Sequence, residues 1–435
     1  MVASVSPLPP GQRVAVIGSG IAGLTSAWLL AKRHEVSVFE ADARIGGHTH
    51  TFDVEVGGQA YAIDTGFIVF NHWMYPNFIR LLDKLGVASK PTDMCFGVND
   101  EETGLEYSSR YLSGWFAQRG RIFDRAHWRT LLDLLRFSRE TRALMPTRDQ
   151  LSWDYSLGEF LREGRYSRDF AERFIVPMGS AIWSAPLTEL EHAFPFRLFI
   201  EFFHNHGMLN LLHKPVWRVI QGGSRSYLEP LTRPFATRIR TACPVLRVER
   251  LRDEVKLLTH AGWESFDQLV IATHSDQALR LLDFDARDAE RAVLGAMRYQ
   301  QNDVVLHTDE RLLPKNRGAW AAWNYSIPKG AFRGATRPRA TLTYNMNHLM
   351  GLEAPVTFCV TLNGTASIDP KRILGRFDYA HPVYDAASAR ARLRYSEIGG
   401  AKHRTHFAGA YWGYGFHEDG VVSAVRVGEA FGCRL

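Results

Sequence analysis

The chain has 435 residues, 46% hydrophobic and 23% charged, with a formal net charge of +6. That balance excludes a disordered or fibrous chain and leaves room for two or three globular domains of about 100–200 residues. No run of 18 apolar residues occurs, so no membrane-spanning helix is expected.

The lead MVASVSPLPPGQR has no basic n-region and no long apolar core, and reads as a short flexible lead rather than a signal peptide. Residues 14–17 (VAVI) predict a strand, followed by Gly18, Gly20 and Gly23 in G-x-G-x-x-G spacing and an apolar helix over 21–31. Residues 36–39 predict a second strand ending on Glu40, 22 residues after Gly18. Each part has a task in dinucleotide binding. Gly18 allows the tight turn, Gly20 lets backbone approach a pyrophosphate, and Gly23 lets the helix pack on the strand. The helix N-terminus offers free N–H groups to phosphate, so Ser19, Ile21 and Ala22 join the site. Glu40 suits a ribose 2′-OH. Next come Ala41, Arg44, then Gly46-Gly47 with His48 and Thr49. A second glycine turn with a basic residue brings the chain back to the phosphates, which shifts the reading from NAD to FAD.

Residues 52–56 and 59–63 alternate around Gly57-Gly58 and predict a hairpin leading to Asp64-Thr65-Gly66-Phe67. Helices are predicted over 71–86, with Gly86 as the stop, over 128–145 before Pro146, and over 168–176 and 190–212. Strands are predicted over 245–250, 255–260 and 269–273. Short alternating runs between 303 and 362 suggest a mixed or antiparallel sheet. Cys95, Cys243, Cys359 and Cys433 form no CxxC pair, which speaks against zinc or a disulfide framework and fits a reducing cytosol; no metal is expected. Residues 107–148 carry nine arginines against three acids, interleaved with Tyr111, Trp115, Phe116, Phe123, Trp128 and Phe137. Arginine with interfacial aromatics suits an anionic membrane surface, while the plainer reading is a solvated face whose aromatics serve the core.

The order GxGxxGL, E-A-x-x-R-x-G-G, D-T-G resembles the flavin-dependent amine oxidase and phytoene desaturase superfamily. The resemblance continues in WRVIQGGS (217–224), Pro244-Val245, FDQLVIAT (266–273), FAG (407–409) and EDGVVSA (418–424). It implies an α/β fold: a Rossmann-type FAD-binding domain built from 11–95, 215–285 and 398–435, with an inserted α+β substrate domain from 96–214 and 286–397. It adds Thr65, Gly66, Phe67, Val245, Thr273, Gly409, Asp419, Gly420, Val421 and Val422 to the FAD site. A bacterial group associated with cyclopropane, methyl-branched and furan fatty acids shares GGHTHTF, DTGFIVFN, ATHSDQALRLL and FAGAYWGYGFHEDGVVSAV.

By this resemblance the aromatic run 411–417 lies at the flavin, with Trp412, Tyr414, Phe416 and His417 as candidate catalytic residues. They form an amine cage, an apolar wall, or plain packing at a glycine-rich bend. His417 is either a donor to the flavin or a satisfied core histidine. No cysteine stands where the family attaches FAD, so non-covalent FAD is expected. Asn302 or Asp303 stands where the family has a flavin-facing lysine. That departure favours hydride removal from a carbon–carbon unit of a lipid-like acyl chain. The alternatives are a flavin amine oxidase acting on a bulky amine, or a non-catalytic lipid carrier. The FAD frame speaks against nucleic acid binding at 107–148. The expected location is the cytoplasm, with contact at the inner face of the membrane.

Overall fold

A computed structural model of the chain describes residues 7–183, 187–208, 214–332 and 341–435. Arg13–Ile17 and Glu35–Phe39 are neighbouring parallel strands, with Ile21–Leu30 as the helix between them. Nine of that helix's ten residues are buried, as expected of a helix that is apolar all round. Gln268–Ile271 pairs with the other side of Arg13–Ile17 and is followed by Thr405–Phe407, while Ile239–Arg240 pairs beyond Glu35–Phe39. The result is a five-stranded parallel sheet. Parallel neighbours need long crossovers, and here those crossovers contain the rest of the molecule. The closing helix, His417–Ala430, returns to lie on Ile21–Leu30. Gly420 sits at that contact, where a Cβ would come within 2.7 Å of Ile21 Cγ2.

A second, seven-stranded sheet runs in the order 373–382, 299–307, 359–362, 341–345, 323–327, 96–100, 105–108. Helices Arg125–Leu144, Leu157–Glu163, Val176–Trp183 and Phe196–Asn205 enclose an aromatic core with it, including Phe137, Phe170, Phe199 and Phe202. The architecture is α/β, a Rossmann-type sheet carrying an inserted α+β part. Among the described residues, no helix is long and apolar enough to cross a membrane.

The hairpin is as expected, Thr51–Val56 against Gln59–Asp64, with Gly57 and Gly58 at φ 62° and 78°. Other elements differ for local reasons. The helix expected over 71–86 starts at Pro76, because Asn71 folds back to accept from the Trp73 and Met74 N–H groups. The helix expected over 168–176 runs to Trp183 through a π-helical segment, Ala171–Ile175. The stretch 190–212 is broken at Pro195, between Leu187–His192 and Phe196–Asn205; its last residues, 209–212, lie outside the described residues. Ser89–Thr92 and Ile373–Pro382 are strands that no alternation announced. The second is a sheet edge with charged residues facing out, a pattern that masks apolar periodicity.

Candidate flavin site

The sheet's first turn is built on three different uses of glycine. Gly18 has φ 99°, and a Cβ there would meet the Ala272 carbonyl oxygen at 2.8 Å. A Cβ on Gly23 would meet the Gly18 carbonyl oxygen at 2.0 Å, so helix and turn are in backbone contact. Gly20 is different. Its φ is an ordinary −69°, and a Cβ would meet nothing within 4 Å. Nothing in the protein's own packing demands glycine there. Gly20 is also the N-cap of the buried helix Ile21–Leu30, which has no capping side chain and no acid in its first turn. A buried helix start without partners is the geometry of an anion site. Gly47 closes the cradle from the other side, its would-be Cβ 3.2 Å from Gly20 Cα. These residues fit a pyrophosphate.

Glu40 accepts from Ser19 N at 2.9 Å, Ser19 Oγ at 2.5 Å and Asp42 N at 3.0 Å. It thereby locks the first loop, and a carboxylate with about four acceptor positions keeps capacity for a ribose hydroxyl. Exposed Ala41 follows, and Val245 is buried in one core cluster with Phe39. Arg44 braces the second glycine turn, donating to Gly47 O at 2.8 Å and Thr49 O at 3.4 Å. Gly46 N donates to Ser19 O at 3.0 Å, which docks the two turns. Ile21, Ala22 and Val421 are buried, whereas Val422 shows 36% of its surface. Thr273 follows strand Gln268–Ile271, and its backbone N lies 3.2 Å from a Gly18 Cβ.

The D-T-G segment is held by two networks. Asp64 accepts from Thr51 Oγ1 at 2.6 Å and from Ser224 N and Oγ at 2.9 Å, tying it to the G-G-S segment. Burial pushes its carboxyl up to about 6. Thr65 Oγ1 lies 3.0 Å from Tyr379 OH, and Phe67 N donates to His48 O at 2.8 Å. Gly66 sits flat on that carbonyl, where a Cβ would come within 2.1 Å.

The closing segment begins at Gly409, whose N donates to Ser423 Oγ at 2.9 Å. Asp419 folds back to accept from Tyr414 N and Phe416 N, at 3.0 and 2.9 Å, and burial pushes its carboxyl up to about 7. Glu418 reaches away and caps the helix Pro76–Leu85, accepting from Asn77 N and Phe78 N. His417 is buried. Its Nε2 lies 3.1 Å from Thr49 Oγ1 and 3.2 Å from Tyr227 OH, and its ring stacks on Phe67 at 3.5 Å. Desolvation pushes it down to about 3, so it is a neutral imidazole satisfied within the protein.

The structure brings Tyr414 and Phe416 together on Phe202, packs His417 against Phe67 and Tyr227, and sends Trp412 elsewhere. Phe416 lies 5.2 Å from Phe202 and 5.3 Å from His206, and Tyr414 OH donates to Glu201 at 3.0 Å. Trp412 is 8% exposed and packs edge-on to Tyr395 at 4.8 Å, in the core beneath the five-stranded sheet's last strand. The turn at Gly413 separates the two sides. Of the lysine-position candidates, Asn302 is buried beside His381, and Asp303 accepts from Thr365. Sequence reasoning gave no role to His274, His381, Tyr379 or Tyr227; Tyr379 and His381 lie on the edge strand Ile373–Pro382, Tyr227 ends the short helix Ser224–Tyr227, His274 follows Gln268–Ile271, and no spacing ties them to one another.

One cluster of metal-ligand type, Asp93, Cys95 and His348, lies apart from this site. Asp93 is already paired with Arg110 at 2.6 Å, and burial pushes the Cys95 thiol up to about 11, so it reads as a hydrogen-bonded network.

A capless helix start, two docked glycine turns and a returning helix define a dinucleotide-binding α/β protein with an inserted second sheet. The model of the flavin-containing amine oxidoreductase family matches residues 21–344, and the chain belongs to that family. The family is one of flavin-containing oxidoreductases. Over 126 residues it is 36% identical to tryptophan 2-monooxygenase of Allorhizobium ampelinum, covering 28% of this chain and 17% of that protein. Over 78 residues it is 40% identical to zeta-carotene desaturase of Zea mays, covering 18% and 13%. The chain thus matches less than a fifth of the length of these curated relatives. Putrescine oxidase with bound putrescine has a TM-score of 0.68 at 13% identity, over 97% of this chain and 99% of that one. A CLA-producing fatty acid isomerase from P. acnes has a TM-score of 0.65 at 15% identity, over 95% and 97%. Both likenesses are of fold.

Proposed function

We propose that this protein removes a hydride from an apolar acyl chain of a membrane lipid, forming a carbon–carbon double bond. Non-covalently held FAD supplies the two-electron acceptor. The observation that carries the reading is the state of the carboxylates beside the aromatic wall of Tyr414, Phe416 and Phe202. Asp419 is spent on backbone N–H groups. Glu201 is spent on Arg197, Arg148 and Tyr414. Among the described residues that wall offers an ammonium substrate no free carboxylate, and it suits hydrocarbon. The desaturase relative and the fatty acid isomerase neighbour support the same direction.

The protein's tasks are then positional. Glu40, Arg44 and the two glycine turns hold the cofactor. Phe416 and Tyr414 shape the chain's channel and exclude water. A lipid substrate also needs a docking surface, and we assign that to the outward face of residues 111–135, with the protein peripheral on an anionic membrane. The test mixes FAD-loaded protein, without oxygen, with phosphatidylglycerol vesicles carrying a methyl-branched acyl chain. Flavin bleaching with a new double bond by mass spectrometry is expected. No bleaching by lipid, with bleaching by an apolar amine, overturns the reading in favour of amine oxidation.

A further inference from the structure

Three histidines converge from separate elements. His48 follows the second glycine turn, His274 follows the strand Gln268–Ile271, and His381 lies on the edge strand Ile373–Pro382. The His48 ring centroid lies 5.5 Å from His381, 6.0 Å from His274 and 5.0 Å from Tyr379. All three histidines keep intermediate exposure, so they line a space rather than fill a core. His274 stacks on Tyr299 at 4.2 Å. His381 Nδ1 lies 3.0 Å from Asn302 Nδ2. An amide NH₂ only donates, so Nδ1 accepts and the ring proton of His381 sits on Nε2. Asn363 fixes the amide's orientation by donating to Asn302 Oδ1 at 2.9 Å.

His48 differs from the other two. Its Nε2 is buried and has no hydrogen-bond partner among the described residues. A buried nitrogen left without a partner is costly to the fold, which makes it a candidate for a functional role. It stands one residue from Gly47, which closes the pyrophosphate cradle. The titratable groups around it are Arg44 and His50 on its own loop, His274, Tyr299, Tyr379, His381, and His417 on the closing helix. Burial first, then the neighbouring histidines and Arg44, hold its pKa well below the usual histidine range. The ring is therefore neutral, and one of its two nitrogens can accept a proton.

We propose that His48 is the proton acceptor of the dehydrogenation, with His381 and Asn302 as its positioning partners. This rests on the acyl reading above. One substrate C–H bond gives up its hydrogen with both electrons to the oxidised flavin. The adjacent C–H bond then breaks with its proton bonding to His48 Nε2, and its electron pair becomes the second bond of C=C. After hydride loss that adjacent proton is strongly acidic, so a weakly basic imidazole is sufficient.

The test uses His48→Gln and His381→Gln, both FAD-loaded. The first readout needs no substrate: the flavin's midpoint potential is followed against pH from 5 to 8. Reduction adds negative charge to the flavin and raises the proton affinity of a neighbouring His48, so the wild-type curve bends beyond what the reduced flavin's own N1 titration gives. That additional bend is expected to vanish in His48→Gln and to shift in His381→Gln; superimposable curves overturn the proposal. The second readout is bleaching by methyl-branched phosphatidylglycerol vesicles, expected to slow about 100-fold per bound flavin in His48→Gln. A wild-type bleaching rate in that variant also overturns it. A bend in a wild-type protein that no lipid bleaches would sink the acyl reading and leave His48 as the flavin's proton partner. Where His48→Gln fails to retain FAD, the shift in His381→Gln decides.

Discussion

At the scale of the residue, the two glycines of the opening turn separate folding from binding. A side chain on Gly20 enters open space, and the backbone there is unstrained. Gly20→Val is expected to fold with an unchanged thermal midpoint as apoprotein and to lose FAD, read as the ratio of flavin to protein absorbance. Gly23→Ala puts a methyl 2.0 Å from the Gly18 carbonyl oxygen and must move backbone. It is expected to cost about 3 kcal/mol in urea unfolding. Trp412 makes the same distinction on the other side. Its sequence position among Tyr411, Tyr414 and Phe416 suggested a substrate wall, but the turn at Gly413 puts it in the core with Tyr395. Trp412→Ala is expected to lose about 3–5 kcal/mol of stability. Phe416→Ala is expected to slow turnover with little change in stability. The reverse pattern of losses would return Trp412 to the substrate wall.

At the scale of the element, the helix Arg125–Leu144 inverts the usual burial pattern. Asp124 caps it, and its buried face includes His127, Thr130, Phe137, Ser138 and Thr141, while Trp128, Leu132 and Leu135 face outward. The preceding segment adds exposed Tyr111, Leu112, Ile122 and Phe123, the last 88% exposed. Among the described residues, Arg119, Arg125 and Arg129 have no ion-pair partner beside this stripe, whereas Arg121 and Arg136 are paired within the segment. Exposed apolar side chains interspersed with unpaired arginine are the composition of a face that lies on anionic lipid. Phe123→Ser with Leu132→Ser is expected to abolish flotation with phosphatidylglycerol vesicles, leaving FAD content and bleaching by a short-chain soluble substrate intact. High salt is expected to weaken wild-type flotation, through screening of the arginines. Flotation that survives both treatments would leave this face a solvated surface. The arginine count over 107–148 was visible in the sequence. The outward direction of the apolar residues was not, because a helix with apolar residues on both sides has no single face to read.

At the scale of the whole molecule, what was legible is what local sequence determines. The strand–turn–helix–strand–acid unit, the Gly57-Gly58 hairpin and the αL stop at Gly86 depend on neighbours in the chain, and each reads directly. The histidine cluster depends on strands from residues 268, 299 and 373 onward meeting the second glycine turn, and no local pattern encodes that meeting. The same assembly buries many histidines. His206, His307 and His406 are each pushed down to about 4, and His417 to about 3, chiefly by desolvation. A histidine depressed in the folded state leaves stability intact above the unfolded value near 6.5. As pH falls below that value the unfolded chain takes up protons the folded one refuses, and stability falls until the folded value is reached. Each such histidine contributes a slope of about 1.4 kcal/mol per pH unit across that window. Asp64 and Asp419, raised to about 6 and about 7, act with the opposite sign: the folded state holds their protons longer, so stability falls as pH rises from near 4 toward 7. Four histidines outweigh two carboxylates below pH 6, where their windows overlap. The thermal midpoint of FAD-loaded protein is therefore expected to fall steeply from pH 6.5 to 4.5. His406→Gln, which keeps a side-chain amide for Gln268, is expected to make that fall shallower; an unchanged slope would mean that His406 titrates normally in the fold.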